Sequence, residues 1–186
     1  MTWNAFHHRA EVLRAVIGEA DARLDGVLPM ETPGVAETFG DEIGLISALQ
    51  LRWHTHLAGM IEAELMDQSM DLESAVTSAW HKTETELHGI RAILDAYTDA
   101  PTSEAIAEAL TKAHRKDWAL MAAMAGKINV QDHRAAAIGR GIEEHARAAY
   151  QPTAGGRHRS ENANARTSAG TPDASLLGRI RAHIAA

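Results

Sequence analysis

The stretch from Asp41 to Gln68 has the longest uninterrupted helical pattern in the chain, and it constrains the fold more than any other segment. At about 100° per residue, one face of this helix is apolar and carries Ile46, Leu49, Trp53, Leu57 and Met60. Further apolar residues widen the stripe on both sides, so we expect the helix to contact several neighbours. A central position in a helical bundle gives it those neighbours.

The composition favours one soluble all-α domain. The chain has 186 residues with 45% hydrophobic and 4% aromatic content, and alanine is abundant. No 18-residue apolar run could span a membrane, and the first residues, MTWNAFHHRAEVLR, lack the apolar region of a signal peptide. The absence of cysteine excludes disulfides and thiolate metal ligands. We therefore expect a cytoplasmic protein.

Apolar residues at spacings of three and four predict an up-and-down bundle of about five helices over residues 1–150. These helices are expected at about 3–24, 41–68, 71–97, 104–127 and 132–150. The segment 25–40 is rich in Gly and Pro and is long for a connection. We favour a crossover along the bundle there, and the alternatives are a lid or a short helix near Val35–Phe39.

The composition changes after residue 150. Residues 151–174 have no periodicity and consist mainly of small and polar residues, which predicts a flexible, disordered linker. Residues 175–186 are predicted to form a short amphipathic helix with an apolar stripe of Leu176, Leu177, Ile180 and Ile184. A tethered segment of this kind is typical of a partner-binding peptide. Docking on the chain's own body and plain disorder are the alternatives.

Charge is divided unevenly between these two parts. Residues 151–186 contain five arginines against one Glu and one Asp, a net charge of +3, so the −7 of the whole chain leaves −10 for residues 1–150. Binding to nucleic acid needs clustered Lys and Arg that neutralise phosphates. We therefore expect no nucleic-acid binding by residues 1–150.

Polar residues on buried helix faces are the candidates for chemistry. Among the polar residues on or beside the buried face of the 41–68 helix, only His56 lies near the middle of the helix. If the helices alternate in direction, the rise of about 1.5 Å per residue brings His114, Asp117 and His145 to nearly the same height. These four side chains could bind zinc or iron with one position left open. The alternatives are a polar ligand pocket, a buried polar network, or side chains at helix edges that reach water.

Sequence motifs for catalysis are absent. The chain has no HExxH, no paired ExxH, no Gly-rich phosphate loop and no nucleophile elbow. Together with the tethered amphipathic segment, this favours a non-enzymatic cytoplasmic helical-bundle protein that acts through a protein partner or self-association. The alternative function is a metal- or small-ligand-binding helical bundle, oxidative or hydrolytic, with a His/Asp site at mid-bundle.

Overall fold

The computed structural model describes residues 3–67 and 70–151, and within them the chain is all-α. These ranges contain seven helices and no strand. The helices are α1 (Trp3–Arg23), α2 (Val35–Phe39), α3 (Glu42–Asp67), α4 (Leu72–Glu86), α5 (His88–Asp99), α6 (Glu104–Met124) and α7 (Ala135–Ala149). The predicted linker 151–174, apart from Gln151, and the predicted terminal helix 175–186 lie outside the described residues. No helix in the described ranges is long and apolar enough to cross a membrane.

Helix α3 has the central position that its broad apolar stripe predicts. It packs against α2, α4, α5 and α6. Its largest buried side chains are Leu45, Ile46, Leu49, Trp53, Leu57 and Ile61. Because burial of large apolar side chains is the main favourable contribution to folding, α3 organises the core.

The helix predicted over residues 71–97 is in fact two helices. Asp71 caps the first one, α4, by accepting a hydrogen bond from the backbone N–H of Ser74, as N-cap residues do. The break is at Leu87, whose φ of −125° and ψ of 33° are not helical, while its side chain is buried in the core. Apolar periodicity continues through the break, so the pattern alone could not show it.

The redirected helix α5 packs closely against α1 at Gly89. The N–H of Gly89 donates a hydrogen bond to Asp21 Oδ1 at 3.0 Å. A Cβ atom at Gly89 would lie only 2.4 Å from the backbone nitrogen of Asp21. The absence of a side chain at this residue therefore permits the contact between the two helices.

The segment 25–40 contains the short helix α2, which was one of the alternatives to the favoured crossover. Val35 and Phe39 turn inward from α2 and are buried. Gly34 and Gly40 flank the helix with φ values of 86° and 80°, which glycine adopts at little cost. The connection therefore adds apolar side chains to the core.

Helices α6 and α7 lie close together at Gly139. A Cβ atom there would lie 1.7 Å from the backbone carbonyl oxygen of Trp118. A Cβ atom added at Gly141, two residues later in α7, would have no atom within 4 Å. The absence of a side chain at Gly139 therefore permits the close contact between α6 and α7.

Candidate functional site

A buried carboxylate lies between α3 and α6. Asp117 of α6 is only 3% exposed. Its Oδ2 accepts a hydrogen bond from Gln50 Nε2 at 2.8 Å, and its Oδ1 lies 2.6 Å from His54 Nδ1. Because Gln50 and His54 are four residues apart on α3, they lie on the same helix face and reach the same carboxyl group.

Burial and hydrogen bonding act on Asp117 in opposite directions. Removal from water raises the pKa of this carboxyl group, and the bonds from His54 and Gln50 partly offset that effect. An ionised carboxylate only accepts hydrogen bonds, so His54 Nδ1 donates to it. The contact therefore fixes the orientation and tautomer of His54 and leaves its Nε2 free to accept a hydrogen bond.

This array forms part of an open cleft of about 510 Å³ between α3 and α6. Gln50, His54 and Asp117 line it, together with Lys112 and Lys116 on α6. The other lining residues are Ile46, Ser47, Leu51, Ala109, Leu110 and Ala113. A mainly apolar cleft with a few convergent polar groups has the composition of a small-molecule site, and its volume is within the usual range.

Gln50 carries one polar atom that the described part of the chain leaves unsatisfied. Its Nε2 is committed to Asp117, which fixes the orientation of the amide. Its Oε1 is buried and has no hydrogen-bond partner. A buried acceptor without a donor is costly, so the Gln50 amide is held in this orientation at the expense of stability.

The four predicted metal-site residues are in separate environments. His56 Nε2 lies 2.9 Å from Glu86 Oε2 of α4, and Asp117 contacts His54 and Gln50. His114 is buried beside the Trp118 ring, at 5.7 Å between ring centroids. His145 is exposed on α7.

Within residues 3–67 and 70–151, no three His, Asp or Glu side chains are placed to hold one metal ion. A zinc or iron site at His56, His114, Asp117 and His145 therefore gains no support from this geometry. Asp117 is buried, as its place on the apolar face of α6 predicted. Its histidine partner on α3 is His54, which was not predicted, and not His56.

His54 and His56 have different partners because their side chains leave α3 in nearly opposite directions. Residues two apart on a helix are related by a rotation of about 200° around its axis, so His54 turns towards α6 while His56 turns towards α4. His54 falls at the edge of the apolar stripe and carries no sequence signal of its own. The pair Gln50 and His54, four residues apart and opposite an inward-facing aspartate, is the pattern that could have indicated it.

A second polar cluster fills the space between α5, α6 and α7. Arg91, only 4% exposed, lies 2.8 Å from Glu143 Oε1. Glu143 also accepts hydrogen bonds from Trp118 Nε1 and from Arg147 Nε, and Arg147 binds both oxygens of Asp95 at 2.9 Å. Each of these charges is paired, as buried charges need to be, so the cluster has the character of a structural network.

Burial also sets the charge state of His114 near this network. Desolvation lowers the pKa of the His114 imidazole, and the nearby Arg91 guanidinium lowers it further. The ring is therefore neutral at pH 7 and packs against Trp118 as a largely apolar group.

Comparison of the chain with protein-family models, with curated proteins and with solved structures gave no significant match. The chemistry of the α3 and α6 cleft is thus the basis for a functional assignment.

Proposed function

We propose that the protein is a helical bundle that binds a small organic molecule in the cleft between α3 and α6. The observation that carries this proposal is the array of Gln50, His54 and Asp117 at a cleft of about 510 Å³. A buried aspartate that holds a half-exposed histidine in one orientation is a costly arrangement for a surface that serves stability alone. The unsatisfied Gln50 Oε1 beside this array adds to that cost.

Blocking the cleft with a bulky side chain tests this proposal. A library of small organic molecules is screened against the full chain by NMR, and binders are recognised by shifts of the backbone amides of cleft residues. Ala113 lines the cleft, so we expect Ala113→Trp to weaken those binders at least about tenfold, which corresponds to about 1.4 kcal/mol.

The matched control is Ala105→Trp, which adds the same volume to α6 at an exposed residue that does not line the cleft. It should leave the affinities unchanged. Binders that perturb only residues elsewhere, or that tolerate Ala113→Trp as well as Ala105→Trp, would show that the cleft is not the site.

A second proposal is that this protein acts in the cytoplasm through a protein partner or self-association. In the described part of the chain, the observation that favours it is exposed apolar surface near the α3 and α4 junction, where Met66 and Met70 are 89% and 98% exposed. Exposed methionines are frequent at adaptable binding surfaces. The predicted docking stripe itself is Leu176, Leu177, Ile180 and Ile184.

Charged substitutions in the predicted stripe test the interaction proposal. The double variant Leu177→Glu and Ile180→Glu should abolish self-association measured by light scattering, or the co-purification of a specific partner with the tagged full chain. The double variant Ser175→Glu and Ala182→Glu adds the same charge opposite the stripe and should behave as the parent protein does. Equal behaviour of the two double variants would exclude the stripe as the binding element.

A further inference from the structure

Lys112 and Lys116 differ from most other cations of the described residues because carboxylates do not neutralise them. Ion pairs with Asp or Glu involve Arg23, Lys82, Arg91, Lys127, Arg134, Arg140 and Arg147. Lys112 and Lys116 are exposed, and within residues 3–67 and 70–151 they form neither an ion pair nor a side-chain hydrogen bond. Two unneutralised ammonium groups at one cleft are unexpected in a chain with a net charge of −7.

The geometry of α6 places these two charges together. Lys112 and Lys116 are four residues apart, so their Cβ atoms are about 6 Å apart on one face of the helix. Both side chains line the cleft that contains His54. One anionic group can therefore contact both ammonium groups, because the flexible stems of lysine adapt to a single acceptor.

The Asp117 carboxylate does not compete with such an anion for the lysines. Both of its oxygens are already engaged, one by Gln50 and the other by His54. The carboxylate is also buried, whereas Lys112 and Lys116 are exposed. The cleft lining contains two positive side chains and one negative one, but only the two positive ones are exposed to a ligand.

The remaining lining of the cleft is suited to an aliphatic group. Ile46, Leu110 and Ala113 form part of the wall, and Leu51 lies at the opening with 64% of its surface exposed. A leucine exposed to this extent loses contact with water when an apolar ligand covers it, and this burial is favourable.

We infer that the ligand of this cleft is an organic anion, with a carboxylate or phosphate between Lys112 and Lys116 near His54 and a short aliphatic chain on the apolar wall. This inference rests on the proposed ligand-binding function and specifies the chemical class of the ligand.

Calorimetric titration of the full chain with four probes tests this assignment. The probes are octanoate, octyl phosphate, 1-octanol and octylamine, which share the alkyl chain and differ in the charge of the head group. We expect at least one of the two anions to bind about tenfold or more tightly than 1-octanol, and octylamine to bind most weakly. The relative affinities of octanoate and octyl phosphate distinguish a carboxylate ligand from a phosphate ligand.

Variants that remove single charges test the role of the lysines. Lys112→Met and Lys116→Met keep an alkyl stem of similar length, and each should weaken the preferred anion about fivefold to tenfold without changing the affinity for 1-octanol. Arg115→Met is the matched control because it removes a charge from the same helix at a residue outside the cleft lining. This control should change the anion affinity by less than about twofold.

Three outcomes would overturn the assignment. Equal affinities for 1-octanol and the two anions would show that the cleft binds ligands without selecting for a negative charge. If Arg115→Met weakened the anion as much as Lys116→Met does, the total positive charge of α6 would explain the binding, and the pair Lys112 and Lys116 would have no specific role. Binding by none of the four probes, while library molecules still respond to Ala113→Trp, would reject this ligand class and leave the proposed function intact.

Discussion

Gly139→Ala is expected to destabilise the protein by at least about 2 kcal/mol. The new Cβ would lie 1.7 Å from the backbone oxygen of Trp118 and 2.4 Å from its carbonyl carbon, and backbone atoms cannot rotate away. Helices α6 and α7 must therefore separate, and overpacking of this kind costs about 3 kcal/mol or more. The better helix propensity of alanine returns only about 1 kcal/mol of this cost. Urea denaturation followed by circular dichroism measures the difference.

Gly141→Ala is the matched control because it makes the same chemical change in the same helix. Nothing lies within 4 Å of the added Cβ, so only the propensity term remains. We expect this variant to be more stable than the parent by about 0.5–1 kcal/mol. Effects of the same sign at Gly139 and Gly141 would contradict the close contact between α6 and α7.

The same helix contact matters for the proposed function because Trp118 and Asp117 are neighbours on α6. A shift of α6 away from α7 moves Asp117 relative to α3, and with it the bonds to Gln50 and His54. Gly139→Ala should therefore weaken ligand binding in addition to reducing stability, although Gly139 does not line the cleft. A remote packing change can have this effect because the site needs side chains from two helices in fixed positions.

Periodicity was sufficient to predict those helices whose apolar stripe is wide. Helix α3 was predicted at residues 41–68 and is observed at Glu42–Asp67, because one broad buried face fixes both its type and its extent. The break at Leu87 was not predicted. Leu87 is apolar and its side chain is buried, so the stripe is continuous while the backbone changes direction.

The candidate site was less predictable than the fold because it depends on the rotation of one helix relative to another. Asp117 was selected because a carboxylate on an apolar face needs a partner. The choice between His54 and His56 depends on a difference in direction of about 160–200° around α3, combined with the position of α6. That position is set by contacts such as the one at Gly139, which involve residues distant in sequence.

Ionisation of Glu84 is predicted to reduce the stability of the protein as the pH rises from about 4.5 to 7. Its carboxyl group is partly buried on α4, and its Oε2 has no hydrogen-bond partner. Burial raises the pKa of Glu84 from 4.5 to about 7, against the attraction of the Arg91 guanidinium. Arg91 cannot fully compensate because it already lies between the carboxylates of Glu143 and Asp95.

The sign of the pH effect follows from proton binding in the two states. Between about pH 4.5 and pH 7 the folded protein keeps the Glu84 proton while the unfolded chain releases it, so stability falls as the pH rises. Above pH 7 both states are ionised and the cost is constant. One pKa unit corresponds to about 1.36 kcal/mol, and solvent screening of this partly exposed group reduces the total to about 1–2 kcal/mol.

Glu84→Gln removes this titration and keeps the shape of the side chain. We expect the variant to be more stable than the parent by about 1–2 kcal/mol at pH 8, and the advantage to shrink as the pH falls towards 5. Urea denaturation at both pH values provides the measurement.

Glu62→Gln is the control, because Glu62 is exposed on α3 and has no ion pair within the described ranges. It should change stability by less than about 0.5 kcal/mol at either pH. An advantage of Glu84→Gln that is the same at pH 5 and pH 8 would show that Glu84 does not hold its proton in the folded protein.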